Sequence, residues 1–259
     1  MKANTLFGMN TLIITLLISC FQGDYNEDKI FKPKNIILMI GDGMGLSQIT
    51  AAMYSNEGGL SLEEIKHIGL IKTNSASSII TDSAAGATAY STGQKTYNGS
   101  INMSIDTLPL IPMTVNLYNN NIKTGIVSSC SVTHATPACF YGNMKHRYDD
   151  NEVLAKQFIT SNINVLIGGG EDYFSNRKDN INLIDTLKSM NYTVIDSIID
   201  DIDVDVEYLI NFCAPKHPKS ILNGRGNFLP LASEKSIQVL NTNNQNGFFL
   251  MIEGAQIDW

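Results

Sequence analysis

Short apolar runs alternate with amphipathic stretches along most of the chain. Asn35-Ile36-Ile37-Leu38-Met39-Ile40 reads as one such run and ends in Gly-Asp-Gly; from Leu46 to Tyr54 the apolar positions recur at helical spacing. That order predicts a buried strand, a tight turn and a helix. Comparable runs lie at Gly125 to Ser129, at Val165 to Ile167 before three glycines, at Tyr192 to Asp196 and at Phe248 to Ile252. Strands apolar on both faces and separated by helix-length segments predict an α/β fold, a three-layer sandwich with a mostly parallel central sheet. Such sheets bind ligands beyond the carboxyl ends of their strands. Ile198 to Asp205, where Asp and Ile alternate, reads as a solvated loop or edge strand, and Asn241 to Asn246 as a turn before the last strand.

The first twenty residues, MKANTLFGMNTLIITLLISC, break this pattern. A lysine followed by an apolar run too short for an ordinary membrane span is the signature of an export signal. Its end, Leu17-Ile18-Ser19-Cys20, resembles the bacterial lipobox, in which the cysteine is acylated and becomes the new N-terminus. The reading is therefore residues 1–20 as a signal peptide with lipobox, 21–34 as a polar tether and 35–259 as the main folded domain. The product is expected to be exported and held by a lipid on Cys20 at a bacterial membrane, facing the periplasm or the cell surface. A plain signal peptide or a single membrane anchor is the alternative. In an oxidising compartment Cys130, Cys139 and Cys213 allow one bridge and one thiol, or three buried thiols.

Composition narrows the partners. The chain is 43% hydrophobic and 17% charged over 259 residues, which suffices for a buried core. A net charge of -7 and a pI near 5.0 exclude a nucleic-acid backbone as partner, because no basic stripe is present. An anionic ester is not excluded, since cations and an arginine can invert the local field.

Polar residues at strand ends supply the candidate chemistry. Asp42 follows the first strand, His134 and Thr136 lie beyond the Gly125 to Ser129 run, and Glu253 ends the last one. Three strand ends would bring oxygen and nitrogen ligands to one edge of the sheet, with oxygens suited to Mg2+ and an Asp and His combination to Zn2+. Singly, each acid reads as a turn former or helix cap. Ser83, in Thr81-Asp82-Ser83-Ala84-Ala85-Gly86-Ala87, opens a helix of very small residues; at that positive end an alkoxide and a phosphate oxygen are stabilised. From composition alone the plainer reading, an N-cap serine on a close-packed helix, outweighs the nucleophile. Arg147 is the candidate phosphate clamp, because a guanidinium binds two phosphate oxygens at once. His67, His146 and His217 have no partner at metal-ligand spacing and read as surface or helix-end residues. Gly168-Gly169-Gly170 reads as a turn rather than a phosphate cradle.

Four blocks then carry a resemblance: NIILMIGDGM from Asn35, TDSAAGATAYSTGQKTYNG from Thr81, HATPA from His134 and FFLMIEGAQIDW from Phe248. Together, and in this order, they resemble the alkaline phosphatase family, and VLIGGGEDYF from Val165 is similar to that family's glycine-rich strand end. The resemblance implies hydrolysis of small-molecule phosphate monoesters through a phosphoserine at Ser83, by double in-line displacement, with Arg147 holding the phosphate. It implies two Zn2+ and one Mg2+. Asp42 would bridge the magnesium and one zinc, and Ser83 would meet a zinc. Thr136 and Glu253 would bind magnesium, His134 would act on magnesium directly or through water, and Asp258 would bind the second zinc. A homodimer is the family's common state.

In the family a histidine, an Asp-His pair and a further histidine follow the Ile-Asp-Trp block, whereas this sequence stops at Trp259. The expectation is a fragment of a longer product, inactive by itself. The other readings are a phosphodiesterase or sulfatase relative, or a non-enzymatic lipid-anchored binder of metal or phosphate; Asp82-Ser83-Ala84 favours the monoesterase.

Overall fold

The computed structural model describes residues 32–196, 204–257 and 259. The export signal, the lipobox with Cys20, most of the tether, most of the Ile198 to Asp205 stretch and Asp258 lie outside the described residues. The strands are β1 (Ile36–Gly41), β2 (Lys123–Ser131), β3 (Val165–Gly169), β4 (Thr193–Ile195), β5 (Leu209–Ala214) and β6 (Phe248–Gly254). They form one sheet in the order β1-β6-β2-β3-β5-β4, and every pairing is parallel. The helices are α1 (Leu46–Ser55), α2 (Ser83–Thr92), α3 (Met113–Asn119), α4 (Ala135–Ala138), α5 (Asn151–Phe158), α6 (Asp172–Ser175), α7 (Leu183–Ser189) and α8 (Phe228–Asn241).

Successive residues of a strand point to opposite faces, so the continuous apolar runs feed two cores. Ile126, Leu166, Ile210, Phe249 and Met251 pack with Ala84 of α2, Leu154 and Phe158 of α5 and Leu187 of α7. Their neighbours Val127, Val165, Ile167, Leu250 and Ile252 pack instead on Ala232, Val239 and Leu240 of α8. Helices therefore cover both faces, as the sequence pattern predicts.

The differences are local. The run at Leu209–Ala214 is a sixth strand that the sequence reading lacks; its polar Asn211 interrupts the apolar pattern. Gly168 and Gly169 are strand residues, and only Gly170, with φ of 106°, makes the turn. A side chain at Gly169 would collide with the Lys216 carbonyl, so this glycine lets the segment after β5 lie against the end of β3. At the other edge, β1 exposes Met39 and α1 buries none of its residues. Cys130, Cys139 and Cys213 are free thiols, the first two fully buried.

Candidate active site

The register of the sheet sets the first half of the site. Glu253 of β6 lies between Ile40 of β1 and Ser128 of β2. Two residues beyond Ile40 the chain turns, and the Asp42 N-H donates to the Gly254 carbonyl at 3.2 Å. Beyond β2, His134 precedes α4, which carries Thr136. Asp42, Thr136 and Glu253 thus come together at the carboxyl ends of three neighbouring strands, where such sheets place ligands.

Glu253 is fully buried. Its Oε2 accepts from Ser128 Oγ at 2.5 Å and from the Cys130 thiol at 3.5 Å, whereas Oε1 has no hydrogen-bond partner among the described residues. Burial pushes its carboxyl up to about 7; the nearby hydroxyls of Ser128 and Thr136 pull it down, and the charge of Asp42 pushes it up. Burial also drives the Cys130 thiol well above its ordinary range, with the Glu253 charge adding to the effect. Beside them, His134 Nδ1 is a second buried atom without a partner among the described residues.

The other half is built on α2. Asp82 is the N-cap and accepts from the Ala85 N-H at 2.9 Å, so Ser83 is the first helical residue and not the cap. The second Asp82 oxygen accepts from the Gly99 N-H at 3.0 Å and from Arg147 Nη1 at 3.2 Å. The guanidinium, only 9% exposed, also donates through Nη2 to His134 Nε2 at 3.1 Å. Burial, then the positive charge of Arg147, hold His134 down to about 4, so the ring is neutral at ordinary pH.

Ser83, Asp42, His134, Thr136 and Arg147 line one crevice of about 850 Å³. His217 and Trp259 line it beside His134. The His217 ring lies 5.7 Å from that of His134 and 5.1 Å from that of Trp259, and its Nδ1 accepts from the Ser131 N-H at 3.2 Å. The remaining proton therefore sits on Nε2.

The alkaline phosphatase family model matches residues 33–259. The chain belongs to the alkaline phosphatase family. It is 34% identical to alkaline phosphatase 3 of Bacillus subtilis, over 90% of this chain and 53% of that protein. To the alkaline phosphatase of Schizosaccharomyces pombe it is 30% identical, over 88% and 48%. It spans about half the length of these curated relatives. Among solved structures, the alkaline phosphatase of the Antarctic bacterium TAB5 superposes with a TM-score of 0.84 at 40% identity, covering 88% of this chain and 67% of that one. A mutant of that alkaline phosphatase, with a histidine exchanged for glutamate, was solved with Mg bound in the M3 site.

Within this alkaline phosphatase fold, the crevice brings together Ser83, Arg147, Asp42, His134 and Thr136, with Glu253 beneath it; Asp258 lies outside the described residues. His217 is exposed, as its sequence reading has it, and the structure adds that it lines the crevice. Asp82, Ser128 and Cys130 are further site residues that the sequence reading passed over. An Asp directly before a run of small helix-forming residues, and hydroxyl and thiol residues at the end of a strand, are the signals in the sequence.

Proposed function

We propose that this chain carries the nucleophile, the phosphate anchor and the magnesium pocket of a phosphomonoesterase that works through a phosphoserine at Ser83. The observation that carries the reading is the fixed placement of Ser83 and Arg147 about one residue, Asp82, whose carboxylate caps α2 and holds the guanidinium. Ser83 Oγ stands at the positive end of α2, where the free N-H groups and the helix dipole favour an alkoxide and the phosphate oxygens. Arg147 supplies a planar fork for two of those oxygens. Phosphoryl transfer needs chiefly positioning and charge neutralisation, and these are what the two residues provide.

The residues present fit magnesium. Asp42, Thr136 and Glu253 offer hard oxygen donors, and the buried Glu253 carboxylate keeps one oxygen unpaired, as a cation ligand would. When bound, such a cation neutralises charge and polarises oxygen at the reaction centre. Two zinc sites are a different matter. Asp42 and Ser83 reach the crevice, but the described residues do not assemble four ligands for either zinc.

Trapping tests the proposal. The protein, given an aryl phosphate and quenched in acid, is expected to carry one phosphate on the peptide containing Ser83, and none after Ser83→Ala. Phosphate on another residue, or turnover that survives Ser83→Ala, overturns the assignment. Export and acylation at Cys20 are proposed on the sequence alone, with labelling by a fatty acid, lost in Cys20→Ala, as the test.

A further inference from the structure

We propose that the pocket beneath His134 takes a thiophilic dication, Zn2+ before Mg2+, with the Cys130 thiolate as one of its ligands. The inference rests on the reading of Asp42, Thr136 and Glu253 as a cation pocket, and it changes the ion that pocket prefers. Cys130 Sγ, a ring nitrogen of His134 and a carboxylate oxygen of Glu253 lie within 4.8 Å of one another. Cys130 and Glu253 are both fully buried. Neither Glu253 Oε1 nor His134 Nδ1 has a hydrogen-bond partner among the described residues. A buried acceptor, Glu253 Oε1, and a buried ring nitrogen, His134 Nδ1, are thus left open beside a thiol, where a native core would pair or replace them.

The spacing is already near that of a bound ion. Bonds of about 2.3 Å to sulfur and about 2.1 Å to oxygen at the tetrahedral angle put the two ligand atoms about 3.6 Å apart. Cys130 Sγ and Glu253 Oε2 are 3.5 Å apart. An all-oxygen pocket suits Mg2+, which demands a near-octahedral oxygen shell; one sulfur and one nitrogen shift the donor set to a borderline-soft ion. Asp42 or Thr136 is at hand as the fourth ligand. As the sulfur–metal bond forms, the thiol proton leaves to solvent, with the dication reversing the local field. Ligation at His134 Nδ1 moves the ring proton to Nε2, which then no longer accepts from Arg147. The guanidinium is thereby released towards the crevice.

Cobalt serves as the optical stand-in for zinc. Added to the metal-free 259-residue chain, Co2+ is expected to give a thiolate-to-cobalt charge-transfer band. Stoichiometric Zn2+ removes the band, and a large excess of Mg2+ leaves it in place. Cys130→Ser should lose the band and weaken Zn2+ binding at least about tenfold, the size expected on disturbing even an outer partner of a metal. The triple variant Cys20→Ala/Cys139→Ala/Cys213→Ala, in which Cys130 is the sole thiol, must keep the band, and this arm decides the matter even if Cys130→Ser fails to fold. Co2+ bound without the band, or a band missing from the triple variant, overturns the thiolate and leaves the oxygen pocket standing. A chain that binds neither Co2+ nor Mg2+ overturns both readings.

Discussion

The two halves of the crevice differ in how their polar atoms are satisfied. On the α2 side, each oxygen of Asp82 is engaged, by Ala85 N-H on one and by Gly99 N-H and Arg147 on the other, and Arg147 reaches His134 as well. On the β6 side, the fully buried Glu253 keeps Oε1 without a partner among the described residues, and His134 Nδ1 is in the same condition. A satisfied network fixes geometry, whereas an unsatisfied buried carboxylate is a standing cost to the fold, of a few kcal/mol. The contrast separates a part that is preorganised by the protein from a part that is completed by something the protein binds.

The contrast can be broken most forcefully at Glu253. Its carboxyl is raised from an ordinary 4.5 to about 7 in the fold. A group with a raised folded pKa contributes stability that is full below the unfolded value and lost as pH rises through the folded one. The metal-free chain should therefore lose up to about 3 kcal/mol between pH 4.5 and 7, and Glu253→Gln should flatten this slope in urea melts. An unchanged slope in the variant would place the titration elsewhere. Next in size, Arg147→Ala should weaken inhibition by inorganic phosphate about 10- to 100-fold through loss of charged hydrogen bonds, and Arg147→Lys should recover only part, because a lysine lacks the fork. Full recovery by lysine would mean that charge alone matters there. The smallest effect is expected at Asp82. Asp82→Ala should cost about 1 kcal/mol of stability as a lost cap, while Asp82→Asn, still a good cap, should keep the stability and loosen only the hold on Arg147.

How much of this was legible in the sequence follows from where each signal lies. β1 and β6 lie within one or two residues of the unbroken apolar runs in the sequence; β6 is buried as such a run predicts, whereas β1, at the edge of the sheet, is largely exposed. β5 escaped because the polar Asn211 interrupts its apolar run. Asp42 and Glu253 stood at strand ends, and position alone raised them above ordinary turn formers. Cys130 and His217 could not be found that way. The first read only as half of a disulfide or a buried thiol, and the second meets Ser131 across a separation of 86 residues, through the pairing of β2 with β3 and of β3 with β5.

The most direct test of the account is thermal unfolding of the metal-free chain with and without Mg2+, beside Glu253→Gln. A pocket that Mg2+ fills at about a hundred times its Kd gains about 2.7 kcal/mol, which for a domain of this size raises the melting temperature by roughly 5–10 °C. The account predicts that rise in the native chain and its loss in Glu253→Gln. A melting temperature that does not respond to Mg2+, or that rises equally in the variant, would contradict it.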